Sequence, residues 1–138
     1  MGEIEKRIDA IKEDFELFDD EIEKYEYIVD IGRSLEPLDE SEKIDKYLIE
    51  GCTSNVWLIC EKRDGKLYFK TDSNTVIVRG LAAILVKIFS NLSAKEIRDF
   101  DFSLLDKLGF SEIITPTRQN GLKSMITKIV ESAQGENA

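Results

Sequence analysis

The sequence predicts an α+β fold, in which a small three-stranded antiparallel sheet carries helices on one face. Apolar residues recur at helical spacing at both ends of the chain and alternate in its middle. The pair Asp64-Gly65 joins two alternating segments and is a strong signal for a two-residue hairpin turn. Runs of helices segregated from runs of strands are typical of α+β proteins. A length of 138 residues fits one domain over 1–138, with an N-terminal helix over 1–15 and a disordered tail over 135–138.

The N-terminal part is predicted to form two helices before a polar loop that contains Pro37. The first helix has an apolar stripe of Ile4, Ile8, Ile11 and Phe15. Asp19 and Asp20 are suitable caps for the second helix. The apolar stripe of that second helix would comprise Ile22, Tyr25, Ile28, Val29 and Gly32.

Three strands are predicted in the middle of the chain, over 47–50, 56–62 and 67–71. The hairpin turn fixes the register of the last two strands, so that Cys60 faces Phe69. The core face of the sheet would carry Val56, Leu58, Cys60, Leu67 and Phe69. The opposite face would carry Trp57, Ile59 and Tyr68.

Helices are predicted again after the hairpin. Residues 76–89 are apolar nearly all round, which indicates a buried helix. Ser93 and Glu96 form a capping box, and Gly109 is a C-terminal cap. A last helix opens at Thr115-Pro116, and its stripe consists of Leu122, Met125, Ile126, Ile129 and Val130.

The composition excludes several classes of function. The net charge is −9 and basic residues are not clustered, so a nucleic acid or an anionic membrane surface is not expected as a partner. The sequence contains no histidine, which rules out Ser-His and Cys-His catalytic pairs and His-containing zinc sites. Two cysteines cannot complete a four-sulfur metal site, so no metal is expected. The charged N-terminus has no apolar signal core, which predicts a cytoplasmic protein.

The two cysteines occupy different kinds of segment. Cys60 lies in an alternating strand, where a thiol packs as a small hydrophobe and is usually inert. Cys52 lies in the reversal Gly51–Asn55, where a thiol is accessible and backbone N–H groups favour a thiolate; a gap-filling structural thiol is the alternative. About five residues of strand, roughly 16 Å, separate Cys60 from the start of its strand, so a disulfide between the two is not expected.

Several motifs occur in a fixed order along the chain. The stretch GCTSNVWL (51–58) fits the signature Gly-Cys-x-Ser-x-Val-Trp. It is accompanied by YEYIVDIGRSLEPL (25–38), TDSNTVIVRGLAAIL (71–85) and TPTRQNGL (115–122). In this combination the chain, from about 15 to 133, resembles the SufE family of sulfur acceptors. It departs from the family pattern at Asn74 and Thr75, where the family often has an acidic residue and Ala.

The resemblance implies a sulfur acceptor and carrier rather than a stand-alone catalyst. A cysteine desulfurase of the SufS or CsdA type would hold sulfur as a persulfide, which Cys52 would accept and pass to an iron–sulfur scaffold complex. The cofactor PLP would belong to the desulfurase, and this chain would need none. A monomer and a homodimer both remain open.

Supporting roles are implied for Gly51, Ser54, Asp72 and Arg118, which match the family motifs. Ser54 would bond turn backbone groups or orient the thiol. Arg118 begins the last helix, where a cation opposes the helix dipole. It would therefore pair with Asp72 or another carboxylate, or lie beside the Cys52 loop. Two other functions remain as alternatives: a one-cysteine redox sensor or thiol peroxidase, and a non-catalytic interaction domain.

Overall fold

The computed structural model describes residues 2–135, in which helices pack around a β-hairpin. In chain order the helices and strands are α1 (Glu3–Glu16), α2 (Glu21–Arg33), β1 (Val56–Arg63), β2 (Lys66–Ser73), α3 (Val76–Phe89), α4 (Ala94–Arg98), α5 (Phe110–Ile113) and α6 (Pro116–Gly135). Short 3-10 helices lie at Glu40–Glu42, Asp45–Tyr47 and Phe102–Leu108. Gly135 is the last residue of α6, and the remainder of the predicted tail, 136–138, lies outside the described residues.

The first helix buries its predicted stripe. All four residues of this stripe are at most 5% exposed: Ile4, Ile8, Ile11 and Phe15. Arg7 Nη1 on the same helix donates to the carbonyls of Ile88 and Ser90, at 2.8 and 2.6 Å. These bonds fix α1 to the end of α3.

The second helix confirms only part of its predicted stripe. Asp20 caps α2 by accepting a hydrogen bond from the Glu23 backbone N–H at 2.9 Å. Ile28 is buried against α3, where a Cβ on Gly80 would lie 2.2 Å from the Ile28 carbonyl oxygen. The prediction was wrong for Ile22 and Tyr25, which are 70% and 41% exposed.

The sheet has two strands rather than three. The predicted hairpin register is confirmed, with Cys60 opposite Phe69. The expected strand 47–50 is reduced to a single bridge between Leu48 and Trp57. Its pairing stops because a 3-10 helix precedes it and Gly51, at φ +88°, turns the chain away.

The core face of the hairpin confirms most of the predicted residues. Val56, Leu58, Leu67 and Phe69 are at most 4% exposed and join one core with α1, α3 and α6. Cys60 is only half-buried, so its prediction as a core thiol was too strong. From Cys60 onward, β1 becomes progressively more exposed toward its end at Arg63.

The opposite face of the sheet is covered by a loop rather than by a helix. Glu42 forms an ion pair with Lys70 at 2.7 Å, and Lys43 lies 3.7 Å from Asp72. Lys43 Nζ also lies 5.8 Å from the centroid of the Trp57 ring. The segment after α2 therefore covers this face, with helices on the other as predicted.

The remaining helices agree with their sequence signals. Helix α3 is buried along most of its length, and Ser93 and Glu96 form the predicted capping box of α4. Gly109 ends the 3-10 helix in a left-handed conformation. Helix α6 buries Leu122, Met125 and Ile129 of its predicted stripe together with Ala133, whereas Ile126 and Val130 are only partly buried. Within residues 2–135, no helix combines the length and the apolarity that a membrane crossing would need.

Candidate functional site

Cys52 lies on a loop between the Leu48 bridge and β1, with its side chain turned toward α6. The thiol is half-buried and its Sγ donates a hydrogen bond to the Gly121 carbonyl oxygen at 3.5 Å. A Cβ on Gly121 would lie 3.6 Å from the same sulfur, so the helix backbone passes directly beside the thiol. The crevice around the thiol is lined further by Thr53, Ser54, Val78, Thr117, Arg118 and Met125.

The entry to this loop is fixed by Gly51. Its φ of +88° lies in the left-handed region, where residues with a Cβ are strained. A Cβ at this position would also lie 2.6 Å from Ser124 Oγ on α6. Gly51 thus lets the chain reverse tightly against α6 and places Cys52 beside Gly121.

The exit of the loop is fixed by Ser54. Its hydroxyl oxygen accepts hydrogen bonds from Arg118 Nη1 at 2.9 Å and from Thr75 Oγ1 at 2.8 Å. The next residue, Asn55, is bound to the β2–α3 turn through the Asn74 side chain at 3.2 Å. The Cys52 loop is therefore held by α6 at both ends and, at its exit, also by the turn before α3.

Sequence reasoning missed several residues of this site, among them Thr75, Gly121 and Ser124. A signal for Gly121 was present, because it lies three positions after Arg118 and so shares a helical face with it. Thr75 stood out in the sequence only as a departure from the family pattern, and no local signal indicates its contact with Ser54, which lies 21 residues away. The structure brings Arg118 to the Cys52 loop, which was one of the two positions considered for it.

The environment of Cys52 favours the thiol over the thiolate. Burial raises the pKa of the Cys52 thiol above its ordinary value. The hydrogen bond to the Gly121 carbonyl also favours the protonated thiol, because only a protonated sulfur can donate it. In the resting loop the sulfur is thus a protonated thiol at neutral pH, rather than the thiolate expected from the turn.

Asp72 lies on the other side of the sheet from the hydrophobic core, paired with cations other than Arg118. Its carboxylate is 2.9 Å from Arg79 Nε and accepts hydrogen bonds from the backbone N–H groups of Leu38 and Ser73 at 3.1 and 2.8 Å. The Arg79 Nε–H is not aimed along this contact, so the pair is held by charge. These contacts connect β2 to the covering loop and to α3.

Cys60 and Cys52 are not bonded to one another. Cys60 belongs to the paired part of the hairpin, whereas Cys52 lies in the loop before it. Across residues 2–135, no group of three or more cysteine, aspartate and glutamate side chains converges as a metal ion would require.

Comparison with a protein-family model identifies the family of this chain. The model for SufE, described as an Fe-S metabolism associated domain, matches residues 9–133. The chain belongs to the SufE family. The matched region spans both anchors of the Cys52 loop and nearly all of α6.

Two curated relatives agree with this assignment, and a solved structure shares the fold. The cysteine desulfuration protein SufE of Wigglesworthia glossinidia brevipalpis is 35% identical over 136 residues, covering 97% of this chain and 94% of that protein. An uncharacterized SufE-like protein of Rhizobium meliloti is 35% identical over 133 residues, covering 93% and 95%. The solution structure of a hypothetical protein from Thermus thermophilus shares the fold, with a TM-score of 0.75 at 14% identity over 94% of both chains.

Proposed function

We propose that this SufE-family protein is a sulfur acceptor and carrier in iron–sulfur cluster assembly. Cys52 takes sulfur from the persulfide of a PLP-dependent cysteine desulfurase, speeds that enzyme's turnover and passes the sulfur to a scaffold complex. PLP belongs to the desulfurase. The observation that carries the proposal is the half-buried Cys52 thiol, held beside the Gly121 carbonyl on a loop anchored at both ends. The name of the Wigglesworthia relative, a cysteine desulfuration protein, supports the same chemistry.

The transfer is an exchange between thiols. The Cys52 thiolate attacks the outer sulfur of the donor persulfide, a new S–S bond forms at Cys52, and the donor's S–S bond breaks. The donor leaves as a thiolate, which takes up a proton equivalent to the one that Cys52 released, so nothing is oxidised or reduced overall. This exchange depends on thiolate character and leaving-group pKa. It does not need a histidine base, and the sequence has none.

The raised pKa of Cys52 sets the expected pH dependence. An acid whose pKa is raised stays protonated to higher pH, so the reactive thiolate is scarce at neutral pH. The exchange rate should therefore increase with pH until Cys52 is ionised. A desulfurase that displaces the loop from α6 would remove the burial that raises this pKa and so increase the thiolate fraction.

Cys60 does not interfere with the carrier in this proposal. A second thiol that reached the Cys52 persulfide would expel sulfide and close a disulfide. Cys60 is held in the ladder opposite Phe69, about five strand residues or roughly 16 Å beyond Asn55. A persulfide carrier with one reactive thiol fits a reducing compartment, and we place it in the cytoplasm.

The deciding experiment is intact-mass measurement after incubation with a cysteine desulfurase, PLP and cysteine. Wild type should gain one sulfur atom on Cys52 and should stimulate the desulfurase. Cys52→Ser should fold normally but lose both the added sulfur and the stimulation. The matched control, Cys60→Ser, should keep both, because the side chain that it changes lies in the hairpin opposite Phe69 rather than in the Cys52 loop.

Two results would reject the proposal. One is a Cys52→Ser protein that still gains sulfur and stimulates the desulfurase. The other is peroxide turnover by the wild type without any desulfurase, as a thiol peroxidase would show. Such enzymes and redox sensors rely on an accessible thiol of low pKa, whereas burial raises the pKa of Cys52.

A further inference from the structure

The apolar stripe of α2 continues beyond the protein core. Ile28 and Gly32 are buried against α3, but Ile22 and Tyr25 of the same stripe are 70% and 41% exposed. Residues three apart on a helix are neighbours, so these two side chains form one exposed surface. Adjacent exposed apolar side chains of this kind mark interaction sites more often than isolated ones do.

This surface leads into a groove that reaches the Cys52 loop. Tyr25 lines the groove together with Ile77, Ile113 and Ile114, and its volume is about 360 Å³. At the far end the groove is lined by Thr53, Thr117 and Arg118, and these three residues also line the Cys52 crevice. A partner seated in the groove therefore contacts the residue next to the reactive cysteine.

The charges around the stripe indicate what the partner presents. Glu21 lies four residues before Tyr25, and Glu26 lies four residues after Ile22. On a helix, this spacing places one exposed carboxylate on each side of the apolar pair. The chain as a whole carries a net charge of −9. Complementary charge favours a partner surface in which basic side chains flank an apolar one.

We infer that Ile22, Tyr25 and the adjoining groove form the docking surface for the cysteine desulfurase, which inserts an apolar side chain between basic ones. This inference rests on the proposed function. Transfer requires the donor sulfur to come within about 3–3.5 Å of Cys52 Sγ, so the donor protein must cover the rim of the crevice. At Thr53 and Arg118, the edge of the Cys52 crevice continues into the groove that leads to the exposed side chains of Tyr25 and Ile22.

The experiment compares matched surface variants in the desulfurase assay. Ile22→Ser combined with Tyr25→Ser should raise the concentration of this protein that half-saturates stimulation by about tenfold or more, because buried tyrosines and their neighbours dominate such interfaces. Ile44→Ser is the control, since Ile44 is 44% exposed, as Tyr25 is, but lies in the loop covering the opposite face of the sheet. It should leave half-saturation unchanged.

A small donor separates docking from chemistry. Glutathione persulfide delivers sulfur without a protein surface, so the double variant should react with it at the wild-type rate and reach the same mass. Glu21→Gln combined with Glu26→Gln should raise half-saturation severalfold at low salt and weaken its salt dependence.

The docking inference and the proposed function fail in different ways. Unchanged half-saturation in the double variant, or an equal effect of Ile44→Ser, overturns the docking inference and leaves the sulfur chemistry standing. Failure of wild type to accept sulfur from either donor overturns the proposed function. If sedimentation shows that the double variant changes only self-association, the surface serves a second copy of this chain, and the docking inference is rejected.

Discussion

Cys52 and Cys60 are both half-buried, yet the backbone holds them in different ways. Cys60 belongs to a hydrogen-bonded hairpin, and moving it requires that hairpin to separate. Cys52 belongs to a loop whose contacts with α6 and the β2–α3 turn are made largely by side chains. A small set of hydrogen bonds can therefore release Cys52 while the core stays intact. Exposure alone does not distinguish the two thiols, but the free energy needed to expose each one does.

The largest expected difference is in thiol labelling of the native protein. Cys52 should react with a thiol reagent at least ~100-fold faster than Cys60, because opening the hairpin should cost roughly 3 kcal/mol more than opening the loop. The rates are measured separately in Cys60→Ser, which reports Cys52, and in Cys52→Ser, which reports Cys60. Equal rates, or faster labelling of Cys60, would contradict the difference in backbone restraint.

A smaller effect, on stability and on Cys52 labelling, is expected from replacing the turn glycine of the Cys52 loop or of the hairpin by alanine. Gly51 and Gly65 both have positive φ, at +88° and +77°, so alanine at either should cost ~1–2 kcal/mol in unfolding free energy. The room available for a Cβ differs between the two positions. A Cβ at Gly65 would meet nothing within 4 Å, whereas one at Gly51 would lie 2.6 Å from Ser124 Oγ. Gly51→Ala should therefore also alter the rate of Cys52 labelling, and Gly65→Ala should not.

Ser124→Ala provides the test of that contact. It removes the obstructing oxygen and should restore the labelling rate in Gly51→Ala without recovering the cost of the strained φ. Urea unfolding and labelling of the single and double variants measure the two quantities independently. If Ser124→Ala restores nothing, the contact between Gly51 and α6 does not position the loop.

The smallest expected effect concerns the restraint at Ser54. Arg118→Ala removes a hydrogen bond to the loop and should lower the unfolding free energy by ~0.5–1.5 kcal/mol while labelling of Cys52 becomes severalfold faster. It also removes a cation, which should move the pH of half-maximal Cys52 labelling upward. Ser54→Ala is the matched control, since it loosens the same loop but keeps the cation. If Arg118→Ala lowers stability while the rate and pH profile of Cys52 stay unchanged, Arg118 does not position the site.

The sequence predicted the helices and the hairpin because their signals are local. The stripe of α1, the capping box at Ser93 and the Asp64-Gly65 turn each depend on residues a few positions apart. The prediction of a third strand over 47–50 was wrong because strand pairing also depends on the backbone conformation at the end of the segment. A positive φ at Gly51 ends the pairing after one bridge, and the sequence of a short polar stretch does not reveal that conformation.

The surroundings of Cys52 were predicted only in part. Gly51, Cys52 and Ser54 lie within one motif, so the motif alone indicated them together. The place of Arg118 was left open, because the sequence cannot choose between a carboxylate and the Cys52 loop, where the structure bonds it to Ser54, 64 residues away. The structure pairs Asp72 with Arg79 instead, and that pairing depends on how β2 lies against α3.

The sequence by itself determined the fold class, the hairpin register and which cysteine lies in a loop, since periodicity and turn chemistry act over a few residues. Only the tertiary structure decided that the Cys52 sulfur lies against the Gly121 carbonyl and that its pKa is raised. It also decided that Ile22 and Tyr25 remain exposed beside that site. Burial depends on which segments meet in space, and packing of the whole core brings α2, α3 and α6 together around the loop.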